Sequence, residues 1–584
     1  MTRIAVIDKE KIKDKKEWYR LISAVCPVNR TGKECVYMTK EGDIGIDEEL
    51  CVGCGICVRR DPYLAVQIIN LPEELKQEPI HRYGVNSFSL YKLPIPIFGN
   101  VVGVLGKNGI GKSTAIKILA GVLDPNLGKL NKKSSYKELI EYFKGTEAQI
   151  FFEKVKDKKI KISYKPQQVD LIPKTTKGKV RDLLKKVDEK NQLTKIANDL
   201  EITEILDNDI TKISGGELQR VAIAATVLKK ANLYIFDEPS SYLDIKQRLN
   251  VSKFIRSLIN EKTAVIVVEH DLIILDYMTD LVHLMYGKES CYGIVSLPKT
   301  TKAGINVYLS GYLKEENIRF RPTKLQFEAK PPIKKISQNL LTSWQDIEKK
   351  LGKFNLKAKQ GNIYKNEVIG ILGENGIGKT TLVRILAEDI KADKGKTTEK
   401  VKVSYKPQYL TSSKELVANV LKTAIQKYTN QIINPLELKP LLTKKLNELS
   451  GGELQRVAIA LCLSQDAKLY LLDEPSAYLD VEQRLIISKI ISDLMEQKGT
   501  TALVVDHDIL FIDYISQNLI VFNGKPAIHG NVNGPFSMEE GMNMFLKDLQ
   551  ITMRRDPELN RPRVNKQGSV KDRQQKSKNK LYYS

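Results

Sequence analysis

The chain has 584 residues, 42% of them hydrophobic, and a net charge of +23 with a pI near 9.3. That length implies several domains, and that charge implies a polyanionic partner such as RNA or an anionic surface. No apolar run approaches the ~20 residues of a membrane helix and MTRIAVIDKEK carries no signal-peptide core, so a soluble cytoplasmic chain (also nuclear, in a eukaryote) is expected rather than a membrane or secreted one.

Five of the seven cysteines fall within the first 57 residues. Disulfides are rare in the cytosol, so the cluster points to a metal site. CVGCGIC (Cys51, Cys54, Cys57) follows the ferredoxin run C-x2-C-x2-C-x3-C-P up to its last member, where Asp61 and Pro62 stand. Cys26-Pro27 has the form of the end of a second such run. In two-cluster ferredoxins the fourth cysteine of each run serves the other cluster. Cys26, Cys51, Cys54 and Cys57 therefore make one complete thiolate set for a [4Fe–4S] cluster, with zinc on the same four as the alternative. Cys35, Cys291 and Cys462 read as unligated core thiols. Residues 1–73 are expected to form a ferredoxin-like iron–sulfur domain.

Residues 74–312 carry a first nucleotide-binding half. A buried strand, Val101 to Leu105, runs into GKNGIGKS (Gly106 to Ser113) and then a helix, the context that a P-loop needs. Gly106, Asn108, Gly109 and Gly111 form the loop that turns backbone N–H groups toward phosphate. Lys112 is expected on the β- and γ-phosphates, with Ser113 on Mg²⁺ and Thr114 beside it. Asp237 ends the apolar strand LYIF, where its carboxylate can reach the Mg²⁺ shell. Glu238 follows as the group that polarises the attacking water. His270, ending a further strand, is placed to orient water and γ-phosphate. Gln167 in SYKPQ is a candidate sensor of metal and water. SGGELQR begins at Ser214, Gly215 and Gly216. Tyr83 is expected on the adenine, with Phe88 as the other candidate.

The same set returns in the same order in residues 345–545. GENGIGKT supplies Gly373, Asn375, Gly376, Gly378, Lys379 and Thr380, followed by Thr381. Gln408, Ser450, Gly451, Gly452, Asp473, Glu474 and His507 repeat the remaining roles. The interval from P-loop lysine to SYKPQ glutamine is about 26 residues longer in the first half, which places an insertion near 130–161. Its apolar spacing predicts a small helical hairpin projecting from the body, ringed by lysines. Residues 313–344 form a link containing ENIRFRP and Lys330 to Lys335 (KPPIKK), and 546–584 a basic tail from Arg554. Link, insertion and tail together are expected on rRNA phosphates.

These motifs resemble the ATP-binding-cassette family. In that family SGGE completes the site of the opposite half, so the resemblance implies Lys112 facing Ser450–Gly452 and Lys379 facing Ser214–Gly216, in two P-loop domains packed head-to-tail. The cysteine domain, HRY (His81 to Tyr83), NIRFRP and the RRDP…RPRVNK tail resemble subfamily E, the RNase L inhibitor family, over nearly the whole chain, and the resemblance makes RRDP and RPRVNK a hinge element between the halves. The resemblance implies a monomeric ribosome-recycling ATPase that works with the small subunit, a class I release factor or Pelota-type factor, and initiation factors. It also implies eight cluster ligands, of which four are missing at Lys13, Trp18, Ile22 and Asp61. All four belong to one cluster, so one [4Fe–4S] cluster is expected beside ATP and Mg²⁺, with Trp18 and Ile22 filling the vacated site. The alternatives are a ribosome-bound initiation or regulatory ATPase without splitting activity, a transporter ATPase subunit, and ATP-gated electron transfer.

Overall fold

The computed structural model describes residues 3–70, 78–130, 133–325, 327, 339–386, 389–397, 401–407 and 413–583. The expected 73/74 boundary, Lys330 to Lys335 and Gln408 lie outside the described residues.

Each half is built on a nine-stranded sheet. In the first, Val101–Gly106 lies between Leu281–Lys288 and Ala264–Val268, with Leu233–Asp237 and Ile162–Lys165 beyond, all parallel. In the second, Val368–Leu372 lies between Asn518–Lys525 and Thr501–Val505, with Leu469–Asp473 and Val403–Lys406 beyond. The central strands are buried along their length, as parallel strands covered on both faces must be. Their carboxyl ends gather at one edge, where α/β sheets bind ligands. A continuous apolar core joins the halves and takes in Val564, Leu581 and Tyr582 of the tail.

The insertion forms helices Tyr136–Tyr142 and Glu147–Lys156, the first started by a Ser135–Glu138 capping box. It does not simply project. Leu139, Phe143, Ala148, Phe151 and Phe152 are buried in one core with Val102 and Ile116 of the first half. The Phe143 and Phe152 rings stack at 5.4 Å. The lysines stay on the outer face.

The N-terminal unit pairs Arg3–Ile7 with Val66–Asn70 antiparallel and has a core of its own. Helix Lys15–Val25 starts at Asp14, whose side chain accepts from the N–H groups of Lys16 and Glu17, and it buries Trp18 and Ile22. It ends at Cys26, which takes the extended conformation required before Pro27.

The tail is folded and touches both halves. It forms strands Met553–Arg555 and Pro562–Val564 and helix Val570–Ser577. Arg561 is fully buried, and Arg561 and Arg563 both bond Asp276 of the first half, at 3.3 and 2.6 Å. Arg555 lies over the Tyr583 ring and 3.6 Å from Asp513 of the second half. Buried carboxylates from both halves hold these arginines. No helix among the described residues is long and apolar enough to cross a membrane.

Candidate functional site

Each P-loop leaves the central strand of its sheet and ends in a helix starting at its lysine. Gly109, Gly111, Gly376 and Gly378 all have positive φ, so a side chain at any of them would be strained. A Cβ on Gly111 would also lie 2.5 Å from the Phe88 ring. Phe88 thus packs beneath the loop, while Tyr83 stands 57% exposed with its hydroxyl 3.1 Å from that of Thr114. Of the two adenine candidates, Tyr83 is the accessible one.

Lys112 Nζ donates to the carbonyls of Gly106 and Lys107 at 2.9 and 2.6 Å, and Lys379 to those of Gly373 and Glu374 at 2.7 and 3.2 Å. Burial pushes both amines down to about 8, against the pull of nearby carboxylates. Ser113 hydrogen-bonds Asp237, and the Thr380 hydroxyl donates to Asp473 at 3.0 Å. Each pair is the hydroxyl–carboxylate couple that a hard cation such as Mg²⁺ takes. Burial, with the neighbouring Glu238 charge, raises Asp237 to about 6.

Glu238 and Glu474 sit at φ +49° and +48°, a left-handed backbone that glutamate rarely adopts. Such strain concentrates at functional sites. Glu238 Oε1 accepts from Gln167 Nε2 at 2.8 Å and lies 3.4 Å from His270 Nε2. Burial alone would raise this carboxyl, but the hydrogen bonds from His270 and Gln167 and the Lys112 charge hold it below the usual carboxylate range. In the second half His507 Nε2 lies 3.5 Å from Glu474 and 3.4 Å from Lys379 Nζ. Burial first, then the P-loop lysine, lowers both imidazoles, so both are neutral at pH 7.

Two residue pairs emerge only from the structure. Lys165 Nζ donates to the carbonyls of Asp237 and Glu238, and Lys406 to those of Asp473 and Glu474. Gln219 and Gln455 donate to the Glu238 and Glu474 carbonyls, both at 2.7 Å. Together they clamp the strained glutamate backbone. Their signal was in the sequence, since SYKPQ and SGGELQR occur in both halves.

The halves meet at these loops. Asp244 accepts from Asn375 N at 3.2 Å, and Asp480 from Asn108 N at 3.5 Å. Each carboxylate thus caps its own helix while touching the opposite P-loop. Ser214 and Ser450 cap the SGGE helices and are exposed. Tyr478 packs on Gly451 and Gly452, and its carbonyl accepts from Asn108 Nδ2 at 3.5 Å. The segment after Glu474 therefore stands between the first P-loop and the second half's SGGE.

In the N-terminal unit Cys26, Cys51, Cys54 and Cys57 line one apolar pocket, all as free thiols. Burial pushes Cys57 up to about 11 and raises Cys51. Cys35, expected merely in the core, lines the same pocket and hydrogen-bonds Cys26. Among the described residues, no three or more His, Cys, Asp or Glu groups converge as ligands of a metal ion. The all-thiol lining nevertheless suits a soft metal or an iron–sulfur cluster. Across the unit, Trp18 is wholly buried and its Nε1 donates to Asp61 Oδ1 at 3.1 Å, while Ile22 is equally buried and Lys13 is exposed.

Comparison with known proteins follows this geometry. The ABC transporter family matches residues 98–241 and 356–477. ABC transporter E family member 1 of Arabidopsis thaliana is 43% identical over 100% of this chain and 99% of its own. A structure of ribosome-bound archaeal Pelota and ABCE1 is 49% identical, with a TM-score of 0.93 over 100% of this chain and 99% of that one. The archaeal ribosome recycling factor aABCE1, in complex with ribosomal stalk protein aP1, is 51% identical, with a TM-score of 0.83 over 88% of this chain and 100% of that one.

Proposed function

The chain belongs to the ABC transporter E family, that of the RNase L inhibitor, and from that premise we propose that it is an ATP-driven ribosome recycling factor. It is an ATPase of the ATP-binding-cassette type. The observation that carries the reading is the reciprocal contact of Asp244 with the second P-loop and of Asp480 with the first. Two nucleotide sites arranged this way share one interface, so ligand at either site bears on the closure of both.

Lys112 and Lys379 bind the triphosphate. Ser113 with Asp237, and Thr380 with Asp473, would hold Mg²⁺, which would offset phosphate charge. Ser214–Gly216 and Ser450–Gly452 cap the γ-phosphate from the opposite half when the interface tightens. Glu238 and Glu474, held ready by Gln219, Gln455, Lys165 and Lys406, polarise the attacking water. His270 and His507 stay neutral and orient it, with Gln167 on Glu238 in the first half and Gln408 given the same role in the second. To swing the clamp from 1:99 to 99:1 closed takes about 5.5 kcal/mol of differential binding. Two multidentate phosphate sites are of the right size to supply it. Closure on a ribosome carrying a release factor or Pelota-type factor drives the N-terminal unit against the small subunit, and hydrolysis resets the clamp. The work is cytoplasmic.

In the N-terminal unit Cys26, Cys51, Cys54 and Cys57 would hold one [4Fe–4S] cluster, which would serve as a rigid cross-link among separate loops. The apolar pocket and the four free thiols support this. The Trp18–Asp61 bond and the burial of Ile22 support the replacement of a second cluster by protein packing.

Sucrose gradients of ribosomes with a release factor and ATP test the function. The parent chain should convert monosomes to subunits. Glu238→Gln with Glu474→Gln should bind ATP and stay ribosome-associated, but turn over at least about 100-fold more slowly. Parental turnover in that double variant would remove the glutamates from the mechanism, and monosomes unchanged by the parent chain would remove the recycling role.

A further inference from the structure

The contacts between the halves carry a pattern of charge that the shared motifs do not. At the first site, Lys107 of the P-loop pairs with Glu482 of the second half at 2.5 Å. At the second, the corresponding positions are reversed in sign: Glu374 pairs with Lys246 of the first half at 2.9 Å. A lysine in the first turn of a helix opposes the helix dipole. Lys246 occupies such a turn, and Glu374 supplies the compensating charge across the interface. The reversal also fixes partners. If each half met a copy of itself, Lys107 would face Lys246 and Glu374 would face Glu482, two repulsive pairs.

The two pairs differ in what lies behind them. Glu482 also accepts from Arg321 Nε of the link at 3.3 Å. Arg321 is 1% exposed, its Nη1 donates to the Tyr308 carbonyl at 2.8 Å, and its guanidinium lies 4.9 Å from the Tyr308 ring centre. Glu482 is thus shared between a P-loop cation at the surface and a buried cation of the link. Among the described residues, the Lys246–Glu374 pair touches no part of the link.

We propose that Glu482 is a positioning residue that couples the first nucleotide site to the link between the halves. The chain Lys107–Glu482–Arg321 transmits movement of the first P-loop to the buried Arg321, while among the described residues the second site has no such connection. The inference rests on the reading of ATP-driven closure given above.

Full-length chains in which one site is silenced test it. Glu474→Gln leaves turnover to the first site, and Glu238→Gln leaves it to the second. Adding Glu482→Gln should raise the ATP concentration for half-maximal turnover about fivefold in the first background, with kcat within about twofold, and leave the second within about twofold. Equal effects in both backgrounds, or none, would overturn the proposal. Lys107→Ala, on a more exposed side chain, should act in the same direction and guards against a folding defect in the Glu482 variant. Exchanging the pair by Lys107→Glu with Glu482→Lys should not restore parental behaviour, since Arg321 then meets a lysine, and full rescue would remove Arg321 from the coupling. X-ray scattering with a non-cleavable analogue separates the two ideas. A parent chain that never compacts sinks the closure reading itself, whereas compaction with equal responses at the two sites sinks only the coupling.

Discussion

Asp61, standing where the ferredoxin run calls for its fourth cysteine, is held by ordinary packing and hydrogen bonds. Its carboxylate accepts from Trp18 Nε1 at 3.1 Å and from the N–H groups of Tyr63, Ala65 and Val66 at 3.0, 2.6 and 2.8 Å. Four donors, three of them in buried bonds, converge on one carboxylate, a strong and specific arrangement. Asp61→Asn removes an acceptor and turns an N–H₂ toward donors. The expected cost is about 1–3 kcal/mol, read as a lower melting temperature. The iron content of an anaerobically prepared chain should not follow it. Parent and variant should both carry about four irons, the content of one [4Fe–4S] cluster, while Cys57→Ser should lose them. A parent chain with close to eight irons would put ligands where Trp18 and Asp61 stand and end the one-cluster reading. An Asp61→Asn chain without iron would make the residue part of the ligand set.

At the scale of elements, local chemistry was legible and long-range pairing was not. The P-loops, the Asp–Glu strand ends and the SGGE caps are spelled by consecutive residues whose geometry is set by nearest neighbours, so sequence placed them. The insertion was found from its length, but its attitude depends on Phe143, Phe151 and Phe152 meeting Val102 and Ile116, a contact that no local period reveals. How the tail folds was not legible, because the partner of Arg561 and Arg563, Asp276, lies 285 and 287 positions away. Cys35 was missed for a similar reason: Asn29 bonds Val36 across a turn and brings the thiol back to Cys26. With the tail arginines occupied, the insertion is left as the better RNA-facing element. Lys154, Lys156, Lys158 and Lys161 are exposed along and just beyond its second helix. Lys156→Gln with Lys158→Gln should weaken ribosome association and flatten the plot of log K against log salt by roughly 1–2 units, because each lost phosphate contact releases fewer counterions. An unchanged slope would assign the RNA contact elsewhere.

For the whole molecule, the question is how a clamp with two closing sites keeps its halves in register while they move. The core that runs through both halves and the tail supplies part of the answer, and buried ion pairs supply the rest. The tail crosses from Asp276 in the first half to Asp513 in the second, where the Tyr582 hydroxyl donates to the carboxylate and Arg555 lies beside it. Asp276 is the first-half anion of this anchor, bonded to both Arg561 and Arg563. Lys302, Asn306, Asp556 and Glu558 form the polar surround. Removing one partner of a buried ion pair costs about 3–5 kcal/mol, since the remaining charge is left without its counter-ion. Asp276→Ala should therefore free the tail from the first half without touching either nucleotide site. Limited proteolysis should then cut within 554–584, where the parent chain resists. ATP should still be hydrolysed, because Lys112, Glu238 and their counterparts keep their own loops. Ribosome splitting should fall at least about tenfold, because closure no longer keeps the halves in register. A variant that resists protease and splits ribosomes at the parental rate would show that the arm is ornamental and that the apolar core alone keeps the halves aligned.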